Sequence, residues 1–172
     1  MKRLEGRVAT ITGGGSGLGK ATAIRFASEG ALVVIADMDE KSGQAVASEV
    51  NGTFIKCNVA DKASVDNMFA EVFKKFGKID IAFNNAGISP PDDDSILTTE
   101  IEAWDKVQLV NLTSVYLCCK AVLPYMLKAK KGSIINTASF VATLAAATSQ
   151  IAYTASKGGV LATTRELGVQ FA

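Results

Sequence analysis

The sequence predicts an α/β protein: a parallel sheet carrying helices on both faces. Short β-rich runs alternate with longer helical stretches along the whole chain. The second of these runs, ALVVIA at 31–36, is apolar throughout, as expected for a strand covered on both sides. The first run passes through a glycine-rich turn straight into a helix. Five such strands with helical connections imply right-handed crossovers.

Residues 7–11 (RVATI) form the first strand, and a helix follows from about Gly17 to Glu29, with Gly30 fitted to its C-terminus. After the second strand, a polar helix at about 40–50 leads to a third strand at 53–57. Asp61 is placed to cap the next helix. There Val65, Met68, Phe69, Val72, Phe73 and Phe76 recur at helical spacing before Gly77 ends it. The fourth strand is 79–83, followed by a loop rich in Asn, Pro and Asp. Thr99 and Glu102 suggest a capping box that opens a long helix to about Lys130, kinked at Pro124. A fifth strand at 132–138 and a small-residue loop precede a last helix, which begins near Ala152 and is still running at Ala172. No repeat or linker divides the chain, so residues 1–172 read as one domain.

Composition narrows the function classes. With 172 residues, 48% apolar and a formal net charge of +1, the chain has no basic stripe for nucleic acid. Cys57, Cys118 and Cys119 lie in apolar stretches and suggest buried thiols rather than a disulfide framework. No histidine is present, so the commonest metal ligand and the usual general base are missing and no metal site is expected. Lys2 and Arg3 are not followed by an apolar signal segment, and the apolar stretch around 134–153 is too polar for a membrane span. A cytoplasmic protein is the expectation.

The first turn reads Thr12-Gly13-Gly14-Gly15-Ser16-Gly17-Leu18-Gly19. Glycines let a strand turn sharply into a helix and let phosphate oxygens approach the backbone, while the helix end offers N–H groups and its positive dipole. A plain tight turn has the same composition. Asp37, 20 residues after Gly17 and at the end of the second strand, can accept from both hydroxyls of a ribose and would repel a 2′-phosphate. Met38 follows it, so no arginine stands there to receive that phosphate. A solvated strand end beside Asp39 and Glu40 is the other reading of Asp37. Late in the chain, Tyr153 and Lys157 are four apart and share a helix face. An ammonium beside a phenol favours the phenolate, as acid/base catalysis needs, although most pairs so spaced are surface pairs.

Taken together these residues resemble the short-chain dehydrogenase/reductase family, its 3-oxoacyl-reductase-like and alcohol-dehydrogenase-like members included, over residues 4–172. Residues 12–19 look like its TGxxxGxG cofactor loop, and Asn84-Asn85-Ala86-Gly87 like its NNAG motif. Asn111, Ser139, Tyr153 and Lys157 match its catalytic tetrad. The resemblance implies a Rossmann-type doubly wound sheet of order 3-2-1-4-5, without the family's sixth and seventh strands. It also implies hydride transfer between an alcohol or ketone and NAD, preferred over NADP.

By the same resemblance Tyr153 exchanges a proton with the substrate oxygen, to which Ser139 hydrogen-bonds. Lys157 lowers the tyrosine pKa and holds the nicotinamide ribose, and Asn111 kinks its helix and holds a proton-relaying water. The cofactor is implied to lie against Thr12, Gly13, Gly15, Ser16, Gly17, Leu18, Gly19, Asp37, Met38, Asn58, Val59, Asn85, Ala86, Gly87, Tyr153 and Lys157.

Two departures stand out. Asn58-Val59 replaces the family's Asp-Val pair, and the asparagine carbonyl can still accept from an adenine amino group. Family members also continue beyond the last helix, so a fragment of a longer protein is expected, the alternative being a truncated nucleotide-binding chain without turnover. Without a sixth strand, the fifth would be an open edge. The loop Phe140, Val141, Leu144, Ala145, Ile151 fits an apolar substrate or core packing equally, and residues 90–94 (PPDDD) read as a solvated loop, the other reading being a loop near the mouth of the pocket. Lys128, Lys130 and Lys131 complement a helix dipole, or could meet an acidic acyl carrier. The last two helices carry apolar positions (Val107, Leu112, Val115, Tyr116, Leu117; Val160, Leu161, Leu167), and since such helices pair between subunits in the family, the resemblance implies a homodimer or homotetramer.

Overall fold

The computed structural model describes residues 2–171. Its strands are β1 (Val8–Thr12), β2 (Leu32–Asp37), β3 (Thr53–Lys56), β4 (Ile81–Asn84) and β5 (Ser133–Asn136), and they form one sheet in the order β3-β2-β1-β4-β5. β1 lies parallel to β2 with Val8 opposite Leu32 and Thr12 opposite Ala36, and parallel to β4 with Ala9 opposite Ile81. The helices are α1 (Gly17–Ser28), α2 (Glu40–Glu49), α3 (Lys62–Phe76), α4 (Ile101–Gln108), α5 (Ser114–Ala129) and α6 (Ile151–Gln170). This is the sheet order that the resemblance implies. Every residue of β1 is buried, which explains why its sequence does not alternate.

The chain divides into two compact units, Met1–Ala86 with Leu117–Ile135, and Gly87–Tyr116 with Asn136–Ala172. In the first, Ile11, Val33 and Ile35 of the sheet pack with Ala23 of α1 and with Val46 and Ala47 of α2. Full burial of such side chains stabilises by roughly 1.5–3 kcal/mol each. Asp61 caps α3 by accepting from the Ala63 N–H, and Gly77 closes it at φ +71°, both as the sequence suggests. Asp39, which the sequence reading leaves unassigned, caps α2 through the Lys41 and Ser42 N–H groups. In the second unit, α4 and the segments 109–113 and 140–142 pack on α6.

Several boundaries differ from expectation for local reasons. β2 begins at Leu32 because the Ala31 N–H bonds back to Phe26 in the end of α1. β5 is shorter than 132–138 because the chain curls after Asn136, where the Ala138 N–H turns back to the Asn136 carbonyl. No capping box forms at Thr99. Its hydroxyl accepts instead from the Asp94 N–H at 2.8 Å, and α4 starts at Ile101 without a side-chain cap. The long helix is interrupted by a π-helical turn, Leu109–Thr113, whereas α5 runs through Pro124. Residues 101–129 are long and apolar enough to cross a membrane, yet Val107, Val115, Cys118, Cys119, Val122 and Met126 of this stretch are buried in the fold. α6 ends at Gln170, and the expected continuation at Ala172 lies outside the described residues.

β5 closes the sheet order, with Ile135 of this edge strand exposed. The three cysteines are buried thiols that form no disulfide, and burial pushes the Cys57 and Cys118 thiols up. Val107, Val115 and Val160, expected on an oligomer face, belong to the core, while Tyr116 is exposed.

Candidate active site

In the first unit the glycine loop is held from outside. Thr12 Oγ1 accepts from the Asn85 N–H at 3.0 Å and the Ala86 N–H at 3.1 Å, and Asn85 Nδ2 donates to the Thr12 and Gly13 carbonyls at 3.1 and 3.3 Å. These two side chains therefore brace the β1 and β4 turns against each other. Packing is tight enough that a Cβ on Gly19 would stand 2.1 Å from the Gly13 oxygen. Gly17 opens α1 at φ +51° and has open space above it.

The start of α1 is unlike those of α2 and α3. Ser16 stands at the N-cap in extended conformation but its side chain makes no cap bond, and the first turn holds no acidic residue. N–H groups with no side-chain acceptor, beneath open space at a positive dipole end, fit a phosphate. At the end of β2, Asp37 accepts from the Gly15 N–H at 2.9 Å and from the Asp39 N–H at 3.0 Å. Its carboxylate ties strand to loop and keeps lone pairs for hydroxyl donors. Met38 and Leu18 are exposed. Asn58 turns its Oδ1 to the Ala60 N–H at 3.0 Å, and Val59 is buried.

The second unit gathers the titratable groups. Lys157 is almost wholly buried, and its Nζ donates to the Thr137 carbonyl at 2.7 Å. It lies 5.5 Å from the centre of the Tyr153 ring. Burial pushes its ammonium below the ordinary lysine value. A Cβ on Gly87 would meet Lys157 Nζ at 3.5 Å and Asn111 Oδ1 at 3.2 Å, so both groups border the space this glycine leaves.

Asn111 is fully buried in the π-helical turn, a distortion often found at functional sites. Its Oδ1 accepts from the Ile88 N–H at 2.7 Å, and its Nδ2 donates to the Ile88 carbonyl at 2.8 Å and to Ser156 Oγ at 3.3 Å. Ser139 heads the turn Phe140–Ala142 in extended conformation, its Oγ accepting from the Val141 N–H at 3.5 Å. Of the three aspartates read as a solvated loop, Asp92 and Asp94 are exposed but Asp93 is buried. Asp93 and Ser156 carry no signal in sequence beyond their residue type.

The family model for short chain dehydrogenases matches residues 7–172. The chain belongs to that family. It is 42% identical over 172 residues to secoisolariciresinol dehydrogenase of Forsythia intermedia, covering 98% of this chain and 62% of that relative. A 3-oxoacyl-acyl-carrier-protein reductase of Thermotoga maritima is 39% identical, with 95% of this chain and 67% of the relative covered. The crystal structure of levodione reductase superposes with a TM-score of 0.91 at 35% identity, covering 98% of this chain and 67% of that one. This short-chain dehydrogenase chain thus spans about two thirds of the length of the relatives it matches.

Proposed function

We propose that the chain acts in an NAD(H)-dependent oxidoreductase that interconverts a secondary alcohol and a ketone, with Tyr153 as acid/base. The observation that carries this reading is the buried Lys157 set beside the Tyr153 ring. In reduction Tyr153 gives a proton to the substrate oxygen, and in oxidation it takes one. Ser139 Oγ hydrogen-bonds the same oxygen. Lys157 stabilises the deprotonated tyrosine and donates to a ribose hydroxyl. Asn111 Oδ1 keeps a lone pair for a water on the proton route. The nicotinamide, when bound, supplies hydride donor or acceptor capacity at its C4.

The first turn of α1 and the Thr12–Asn85 brace suit the pyrophosphate, and the Asp37 carboxylate suits a ribose with both hydroxyls free. Exposed Phe140 and Leu144 near Ser139 favour an apolar substrate. We also place the protein in the cytoplasm as a homodimer or homotetramer; a monodisperse monomer in light scattering would count against the latter.

The test is Tyr153→Phe, assayed with NAD and with cyclohexanol or secoisolariciresinol as probes. Turnover is expected to vanish while NADH affinity, read by fluorescence titration, stays within about twofold. Retained turnover would overturn the catalytic role. NADPH binding as tightly as NADH would overturn the cofactor choice. If the unmodified chain binds NADH but turns over neither probe, a nucleotide-binding chain without catalysis becomes the better account.

A further inference from the structure

α6 carries both Tyr153 and Lys157, and its own N-cap residue does not cap it. Gln150 stands there at φ −167° and ψ 66° with no side-chain bond to the helix. The cap comes from about sixty residues earlier. Asp93 Oδ1 accepts from the Ala152 N–H and Oδ2 from the Tyr153 N–H, each at 2.8 Å. The neighbouring Asp94 carbonyl accepts from the Ile151 N–H at 3.0 Å. Gln108 Nε2 of α4 donates to the Ala152 carbonyl at 2.9 Å, and Ser156 Oγ donates to the Tyr153 carbonyl at 2.7 Å.

Asp93 is 5% exposed, which sets it apart from an ordinary solvated cap. A single-point cap leaves the first turn free to rock about one bond. A carboxylate that takes two adjacent N–H groups, one on each oxygen, fixes both the axis and the rotation of that turn. The second of those N–H groups belongs to the residue bearing the phenol. The loop carrying Asp93 is itself stiffened by Pro90 and Pro91, and the Asp93 N–H closes back on the Pro90 carbonyl at 3.2 Å.

We propose that Asp93 is a positioning residue for Tyr153: its two-pronged hold on the Ala152 and Tyr153 amides sets where the phenol points. The inference rests on the proposed role of Tyr153, and the test separates the two. The chain has three tyrosines, so tyrosine labelled with carbon-13 at Cζ gives three NMR signals, and Tyr153→Phe identifies one by its loss. In Asp93→Asn the Tyr153 signal is expected to shift or broaden while those of Tyr116 and Tyr125 stay in place. With NAD and cyclohexanol, kcat should fall tenfold or more with KM for NAD within twofold. Asp93→Glu, which keeps both acceptor oxygens, should restore part of each.

An unmoved Tyr153 ring signal in Asp93→Asn overturns the inference whether or not the chain turns over. So does an unchanged kcat in a chain whose turnover is lost in Tyr153→Phe. Turnover that survives Tyr153→Phe instead overturns the catalytic reading and leaves the ring signal to judge Asp93. Should Asp93→Asn not fold, the same two readings on Asp93→Ser, which keeps a single acceptor oxygen, decide: a shifted ring signal with lowered kcat is expected, and a wild-type ring signal and kcat overturn the inference.

Discussion

Replacing Asn111 with alanine isolates what a single buried amide contributes to this fold. The substitution removes three hydrogen bonds, two to the backbone of Ile88 and one to Ser156 Oγ. Ile88 is half-buried, so water can partly replace what its N–H and carbonyl lose. Leaving a buried polar group unsatisfied costs about 1–3 kcal/mol, and the two backbone groups together should cost about 2–4 kcal/mol after that partial rehydration. For a domain of this size each kcal/mol lowers Tm by about 2–4 °C, which gives a drop of about 4–16 °C. The assay is thermal unfolding of Asn111→Ala and wild type by circular dichroism at one pH. A Tm within about 2 °C of wild type would refute the reasoning. It would mean that the Asn111–Ile88 pair is not what holds the segment after β4.

Two other perturbations follow from the geometry. Gly19→Ala places a methyl 2.1 Å from the Gly13 oxygen, a clash that backbone must absorb at a cost of about 1–3 kcal/mol. NADH affinity in a fluorescence titration should fall at least tenfold, and an unchanged affinity would show that the loop has slack. Lys157 has its folded-state pKa lowered from 10.5 by burial, so the folded state binds fewer protons than the unfolded chain between the two values. The penalty of burying its charge is therefore full below the folded pKa and fades as pH rises toward 10.5. Relative to Lys157→Met, wild type should gain stability in urea unfolding between neutral pH and pH 10.5; a flat difference would contradict the shift.

Much of this was legible in the sequence where local rules act alone. Asp61 and Gly77 bound α3 because a cap and a left-handed stop need only their immediate neighbours. The five strands could be found by their apolar runs, and their order by likeness to a family. The residues brought together over long separations were harder to see. Thr99 looks like half of a capping box until the loop behind it offers the Asp94 N–H as a nearer donor. Asp93 looks like one of three solvated carboxylates, since nothing local distinguishes it from Asp92 and Asp94. Its burial depends on the position of a helix that begins almost sixty residues later. The π-helical turn at Asn111 was readable as a kink through the family likeness, but its tie to Ile88 was not.

The bare start of α1 makes ligand binding a matter of stability as well as affinity. The protein finishes the ends of α2 and α3 with its own aspartates and leaves the first helix open. An anion seated there completes a piece of secondary structure, and the folded form gains whatever free energy the anion contributes. At a hundred times its dissociation constant such a ligand adds about 2.7 kcal/mol, a sizeable fraction of the stability of most domains. If the chain binds a dinucleotide as proposed, the supply of that ligand would set the fraction of molecules folded as well as the fraction occupied.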